Sequence, residues 1–337
     1  MIRLHLNENP HGVLPPVRHR IAECLMQMEL AHYPDDGARQ LRAALGRYAG
    51  VSPDRIVVGN GSDELLQLIL LSLSPRLQRV VIPVPTFGMY RAAAELAGLD
   101  VIEVPLVDGF DLDVTAVLRE VSAAPAALFI CYPNNPTGNY FSCRAVNEVS
   151  RSAAEIIVVD EAYYEFGGRS RIAATERDPR IIVTRTLSKA FGLASMRVGY
   201  LVAHQEVVRI LHRSRQPFNT SAAAQVAARV VVEEAQAQLA TVGAIVGRRR
   251  WLMEELRGIS GLFPLPSEAN FLLVRVEQSI FGMTAGELCV RLREGGIAIR
   301  CFSGVNHLTD CVRISVGTTH ECGLLIEQIG GLRRGGG

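Results

Sequence analysis

Seven short runs rich in β-branched residues, at 55–58, 79–83, 100–105, 127–131, 155–159, 181–184 and 198–203, alternate with segments long enough for helices. Runs that are apolar on both faces are strands buried from both sides. Helix-length connections between them favour parallel pairing. The expected fold class is α/β, with a mostly parallel sheet covered by helices on both faces. In such sheets ligands bind beyond the carboxyl ends of the strands. Those ends carry polar residues or glycine here: Gly59-Asn60-Gly61-Ser62-Asp63, Asn134-Asn135, Asp160-Glu161 and Ser188-Lys189.

The rhythm changes after residue 220. A long helix is predicted over about 221–256, rich in Ala, Val, Glu and Arg. It leads to a strand at 270–276, a helix at 284–294, strands at 297–301 and 311–315, and a terminal helix. This predicts a smaller α+β domain of residues 1–29 with 231–337, beside a large domain of residues 30–230.

Composition removes several function classes. Basic and acidic residues number 35 and 34, so no electrostatic footprint for nucleic acid or anionic lipid follows. Apolar stretches such as 64–74 fall short of the roughly 20 residues that span a bilayer. The start, MIRLHLNENPHG, has no apolar core of signal-peptide length. Seven cysteines with no C-x-x-C pair suit reduced thiols, and the chain reads as cytoplasmic.

Among the 35 basic residues Lys189 is the single lysine. A guanidinium stays protonated, whereas an amine can lose its proton and attack a carbonyl. Lys189 is therefore expected either where arginine cannot substitute or as a stray surface lysine. The run from Val57 to Leu66 reads as strand, tight turn and helix start, which is an anion cradle or an ordinary helix cap. Asp160 closes a buried strand, a place that suits the partner of a pyridine nitrogen, a Mg²⁺ ligand or a cap. Asn135 either bonds a ring hydroxyl or shapes its turn. Arg197, eight residues after Lys189, either helps to hold a phosphate or is an exposed arginine.

Together these segments resemble the fold-type-I pyridoxal-phosphate aminotransferases, and within them the histidinol-phosphate aminotransferase family. The resemblance runs from Leu6-Asn7-Glu8-Asn9-Pro10 through Tyr33-Pro34-Asp35, Pro85-Thr86-Phe87-Gly88-Met89-Tyr90, Pro133 to Gly138, Val159-Asp160-Glu161-Ala162-Tyr163 and Thr186 to Gly192, as far as Arg313-Ile314-Ser315-Val316-Gly317-Thr318. It implies pyridoxal 5′-phosphate bound covalently to Lys189, which also shuttles a proton. It implies Asp160 on the ring nitrogen, Asn135 and Tyr163 on the ring hydroxyl, and Phe87 stacked on the ring. The cofactor phosphate falls to Ser62, Asp63, Ser188, Arg197 and Tyr33, the last reaching from the neighbouring subunit of a homodimer. Arg313 resembles the arginine that grips a substrate α-carboxylate, Arg300 the one that faces a distal anion, and Asn7 and His11 belong to the substrate side. No metal is implied; the partners are a small-molecule amino donor and a keto acceptor.

Two departures bear on the substrate. His11 stands where the family commonly has tyrosine or phenylalanine, and the chain begins close to the Asn-Glu-Asn-Pro motif, without most of the leader that commonly packs across the dimer. Histidinol phosphate with 2-oxoglutarate is the expected pair. An aromatic or specialised-pathway amino acid is the competitor, and a decarboxylase or oxidase on the same scaffold is a different reaction class. An aminotransferase-like module of a regulator is a third, non-enzymatic reading.

Overall fold

The computed structural model describes residues 1–302 and 308–334. Its strands are β1 (Ile2–Leu4), β2 (Ile56–Asn60), β3 (Arg79–Val84), β4 (Asp100–Pro105), β5 (Ala126–Cys131), β6 (Ile156–Asp160), β7 (Ile181–Thr186), β8 (Val198–Val202), β9 (Leu262–Pro264), β10 (Phe271–Val276), β11 (Ile297–Cys301) and β12 (Cys311–Ser315). They form a seven-stranded sheet of order β2-β8-β7-β6-β5-β3-β4 and a five-stranded sheet of order β1-β11-β12-β10-β9. In the large sheet β4, β3, β5, β6 and β7 run parallel, and β8 is antiparallel to both β7 and β2.

The central strands are apolar on both sides because each side has its own core. Leu128, Ile130, Ile157 and Val159 face one core with Leu41, Leu45 and Val230. Ala127, Phe129 and Val158 face the other with Leu65, Ile69, Tyr90 and Leu211. The helix Ser62–Leu73 buries Leu65, Leu66, Ile69 and Leu70 completely. Each such side chain contributes about 1.5–3 kcal/mol, which fixes the start of that helix against the mouths of β2 and β8.

The small sheet is more one-sided. Leu4, Ile299, Val312 and Ile314 turn into a core with the helices Ala235–Arg257, Ala285–Glu294 and Thr319–Arg334. Strands β1 and β9, three residues each, are too short to show periodicity and escape sequence reading. The N-terminal segment is shared: β1 pairs with β11, but the helix Pro15–Met26 inserts Val17 and Ile21 into a core of the large sheet. Residues 1–29 are therefore not wholly on the small side. The long helix expected over about 221–256 is two, Ala222–Glu233 and Ala235–Arg257. They break at Glu234, whose φ of −97° and ψ of 22° leave the helical well. Arg20 ties Glu233 and Glu234 together at this corner.

Candidate active site

The carboxyl ends of the large-sheet strands face the small sheet across a cavity of 980 Å³. Asn7, Ser62, Asp63, Phe87, Asn135, Asp160, Tyr163, Ser188, Lys189, Arg197, Arg300 and Arg313 all line it. Twelve of the fourteen residues singled out from sequence thus meet in one place.

Asp160 is 2% exposed and accepts from the Tyr90 hydroxyl at 2.8 Å, the Thr184 hydroxyl at 3.1 Å and the Ala162 amide at 3.2 Å. Burial pushes its carboxyl up to about 6 despite those donors. No cation pairs with it among the described residues. The neighbouring Glu161 is wholly buried and paired with Arg185, whose Nε and Nη2 reach one carboxylate oxygen at 3.0 and 2.8 Å. This pair ties the end of β6 to that of β7. Breaking such a pair by removing one partner costs about 3–5 kcal/mol.

Lys189 Nζ donates to the Leu6 carbonyl at 3.0 Å and lies 6.0 Å from the centre of the Tyr163 ring. Burial, helped by the Arg313 charge, pulls the amine down to about 8. A substantial neutral fraction at pH 7 follows, as a nucleophile or proton carrier requires. Asn7 Nδ2 donates to the Tyr163 hydroxyl at 3.0 Å. Asn7 itself has φ 55°, a left-handed conformation that asparagine tolerates. Ser315 and Asn270 hold it there: the Ser315 hydroxyl accepts from the Asn7 amide and donates to Oδ1, and Asn270 Nδ2 donates to its carbonyl at 3.0 Å.

At the start of the helix Ser62–Leu73 no side chain caps the first amides. Asp63 turns instead to Arg197, 3.3 Å away. Gly61, at φ +81°, has no room for a side chain, since a Cβ would meet Arg197 Nη2 at 2.6 Å. On β8 below, a Cβ at Gly199 would lie 2.5 Å from the Ser62 nitrogen. The result is helix amides without a side-chain cap beside a guanidinium, an arrangement that suits an anion, and the cap reading of this turn is not what the structure has.

On the opposite wall Arg313 donates through Nη1 to Asn135 Oδ1 and through Nη2 to the His5 carbonyl at 2.8 Å. Arg300 sits beside it in the β11–β12 register. Among the described residues neither guanidinium has a carboxylate partner.

Two sequence candidates lie elsewhere. Tyr33 is 81% exposed and stacks on Phe218, with ring centres 4.6 Å apart. His11 is exposed, is not among the residues that line the cavity, and its amide donates back to Asn9 Oδ1 at 2.9 Å. Sequence reading also missed Tyr90, Thr184 and the Arg91–Glu103 pair at the cavity rim, with 2.7 Å between charges. Thr184 had a signal: it is a polar residue in a buried apolar run, level with Asp160 in the register.

A family model for aminotransferase class I and II matches residues 1–329. A histidinol-phosphate aminotransferase of Roseiflexus castenholzii is 39% identical, over 98% of this chain and 89% of its own length. The enzyme of that name from Thermococcus gammatolerans is 38% identical, over 97% and 91%. The crystal structure of histidinol-phosphate aminotransferase from Sinorhizobium meliloti in complex with pyridoxal-5′-phosphate is 27% identical, with a TM-score of 0.88 over 99% of this chain and 91% of that one.

Proposed function

From the premise that the chain belongs to the class I and II aminotransferases, and so is a transferase that works with pyridoxal 5′-phosphate, we propose that it interconverts histidinol phosphate and 2-oxoglutarate with imidazole acetol phosphate and glutamate. The observation that carries the substrate is the pair of guanidiniums, Arg300 and Arg313, side by side on neighbouring strands without a carboxylate partner. Glutamate brings two carboxylates to such a wall and histidinol phosphate one phosphate dianion. Both meet bidentate donors there.

The residues of the large-sheet wall fit the cofactor. The cradle of Ser62, Asp63, Ser188 and Arg197 would hold its phosphate, Phe87 would lie against its ring, and Asn135 and Tyr163 would reach the ring hydroxyl. The unpaired carboxylate of Asp160 would face the ring nitrogen, and Lys189 is the amine that would attach it. When bound, the group supplies an electron-poor ring that stabilises negative charge at the carbon bearing the substrate's amino group. Lys189, with its lowered basicity, would take the proton from that carbon and return it.

Tyr33 lies outside its own cavity, and exposed Met26 and Leu30 accompany it. These support a homodimer in which Tyr33 reaches the neighbour's cofactor phosphate. The large domain of residues 30–230 and the small domain of 1–29 with 231–337 are proposed with one amendment, that the helix Pro15–Met26 goes with the large one. Seven free cysteines suit a cytoplasmic location, and among the described residues no helix is long and apolar enough to cross a membrane.

The test is a half-reaction. Histidinol phosphate added to the holoenzyme should convert the cofactor's absorbance to that of its amine form, and 2-oxoglutarate should restore it. An enzyme that responds to glutamate but not to histidinol phosphate has another substrate. Release of CO₂ or peroxide in place of conversion belongs to another reaction class.

A further inference from the structure

The small-sheet wall holds a third basic residue. Strand β1 pairs with β11 at Leu4 and Ile299, which brings the next residue, His5, alongside Arg300; Arg300 is in turn opposite Arg313. Leu4, Ile299, Val312 and Ile314 turn into the apolar core, so the period of two along each strand presents His5, Arg300 and Arg313 to the other face. All three line the cavity. The His5 carbonyl accepts from Arg313 Nη2 at 2.8 Å, which couples its position to that arginine. Its Nδ1 is sealed from water near the Ala298 carbonyl but makes no well-formed hydrogen bond.

We propose that His5 is a specificity-determining residue that contacts the substrate's phosphate beside Arg300, does so as an imidazolium, and thereby favours a dianion over a carboxylate. The proposal rests on the substrate reading given above. The charges around His5 come from several elements: Arg3 on its own strand, Glu8 after it, Arg293 on the helix Ala285–Glu294, and Arg300 and Arg313 on β11 and β12. Glu8 is already engaged by Arg3 at 2.9 Å. Burial foremost, with Arg293 and Arg3 adding to it, lowers the basicity of His5 in the free site. A phosphate dianion reverses that balance, and the imidazole takes a proton from solvent as the dianion arrives. A single-charged carboxylate is satisfied by one guanidinium fork and draws less. Histidine is the side chain that can make this change near neutral pH.

The experiment compares holoenzyme with the variants His5→Gln and His5→Phe, through kcat/KM for histidinol phosphate and for glutamate between pH 6 and 9. At pH 7 the ratio of the two should fall about tenfold in both variants, the loss of one charge-assisted hydrogen bond. Above the range in which the substrate's own phosphate and imidazole titrate alike in all three proteins, the ratio should decline with rising pH more steeply in the unmodified enzyme than in the variants. Equal losses on both substrates would show a structural role and overturn the proposal, as would an unchanged ratio. If the unmodified enzyme turns over no histidinol phosphate, the substrate reading falls by itself. His5 is then decided by competitive inhibition of the glutamate half-reaction. A tenfold rise in the inhibition constant of methylphosphonate but not of acetate in His5→Gln supports dianion contact, and equal constants overturn it.

Discussion

The two walls of the cavity are built on opposite plans. On the large-sheet wall the carboxylates are already engaged: Asp160 accepts from three donors and Asp63 is paired with Arg197, while the buried Glu161–Arg185 pair braces the strand ends behind them. On the small-sheet wall Arg300 and Arg313 have no acidic partner among the described residues. A preorganised wall suits a resident group that must be held in one orientation. An electropositive wall without an acidic partner suits an anion that comes and goes. The comparison predicts that changes on the first wall damage every reaction of the enzyme, while changes on the second redistribute preference among substrates.

The largest effect belongs to Lys189. Lys189→Ala should cut turnover by roughly 10⁴-fold or more with every amino donor, because it removes both the attachment point and the proton carrier. Borohydride reduction followed by mass spectrometry should find no cofactor fixed to the chain. A reducible adduct in this variant would break the assignment, since the sequence has no second lysine.

Asp160→Asn comes next, with a loss of about 10³-fold shared by all substrates. Its effect on stability has the opposite sign. The Asp160 carboxyl titrates near 6 in the folded chain and near 3.9 in an unfolded one. Between those values the folded state binds the extra proton, so this residue's contribution to stability falls as pH rises from about 4 to 6 and stays unfavourable above. Removing the charge should stabilise the cofactor-free protein against unfolding at pH 7, by about 3 kcal/mol. At pH 4 the gain should vanish. A variant that is less stable than the parent at pH 7 would mean that the three donors outweigh burial.

A smaller effect concerns the pH at which the first wall can be loaded. With the Lys189 amine near 8, about a tenth is neutral at pH 7, against roughly three parts in 10⁴ for an ordinary lysine. Covalent capture of pyridoxal phosphate by the cofactor-free protein should therefore accelerate up to about pH 8 and level off beyond it. Stopped-flow absorbance checks this, and a rate still climbing at pH 10 would show that burial has not lowered the amine.

The same contrast explains what was legible in the sequence. Residues of the first wall sit at the ends of long, doubly buried strands, where an apolar run stops at a polar residue. Asp160, Asn135 and Lys189 can be read there because strand and site share one signal. Tyr90 and Thr184 were missed because each acts through Asp160 and looks locally like core; Tyr90 is fully buried in a helix whose apolar face explains it. The second wall depends on pairing between distant segments. His5 meets Arg300 only because a three-residue strand, β1, joins β11 in parallel, and no local pattern announces that. The break at Glu234 was illegible for a similar reason, since it answers to Arg20, more than 200 residues away.

The smallest effect is the most informative about that limit. His11 was placed on the substrate side because the matching position in the family carries an aromatic residue, a reading that ignores where the loop goes. In the structure the Asn9 side chain holds the loop at both ends: Oδ1 accepts from the His11 amide, and Nδ2 donates to the Ala190 carbonyl at 2.8 Å. Gly12 then passes so close to Gly192 that a side chain there would meet its backbone at 2.7 Å. Asn9 thus docks the loop on the Lys189 segment through its backbone, and the imidazole of His11 is left exposed outside the cavity. His11→Ala keeps every one of those backbone contacts. It should change kcat/KM for histidinol phosphate and for glutamate by less than about twofold, the range of a surface substitution that touches no special feature. Asn9→Ala removes the tether and should cost more, about tenfold on both substrates, as expected from losing buried hydrogen bonds. A selective loss with histidinol phosphate in His11→Ala would return that residue to the substrate wall.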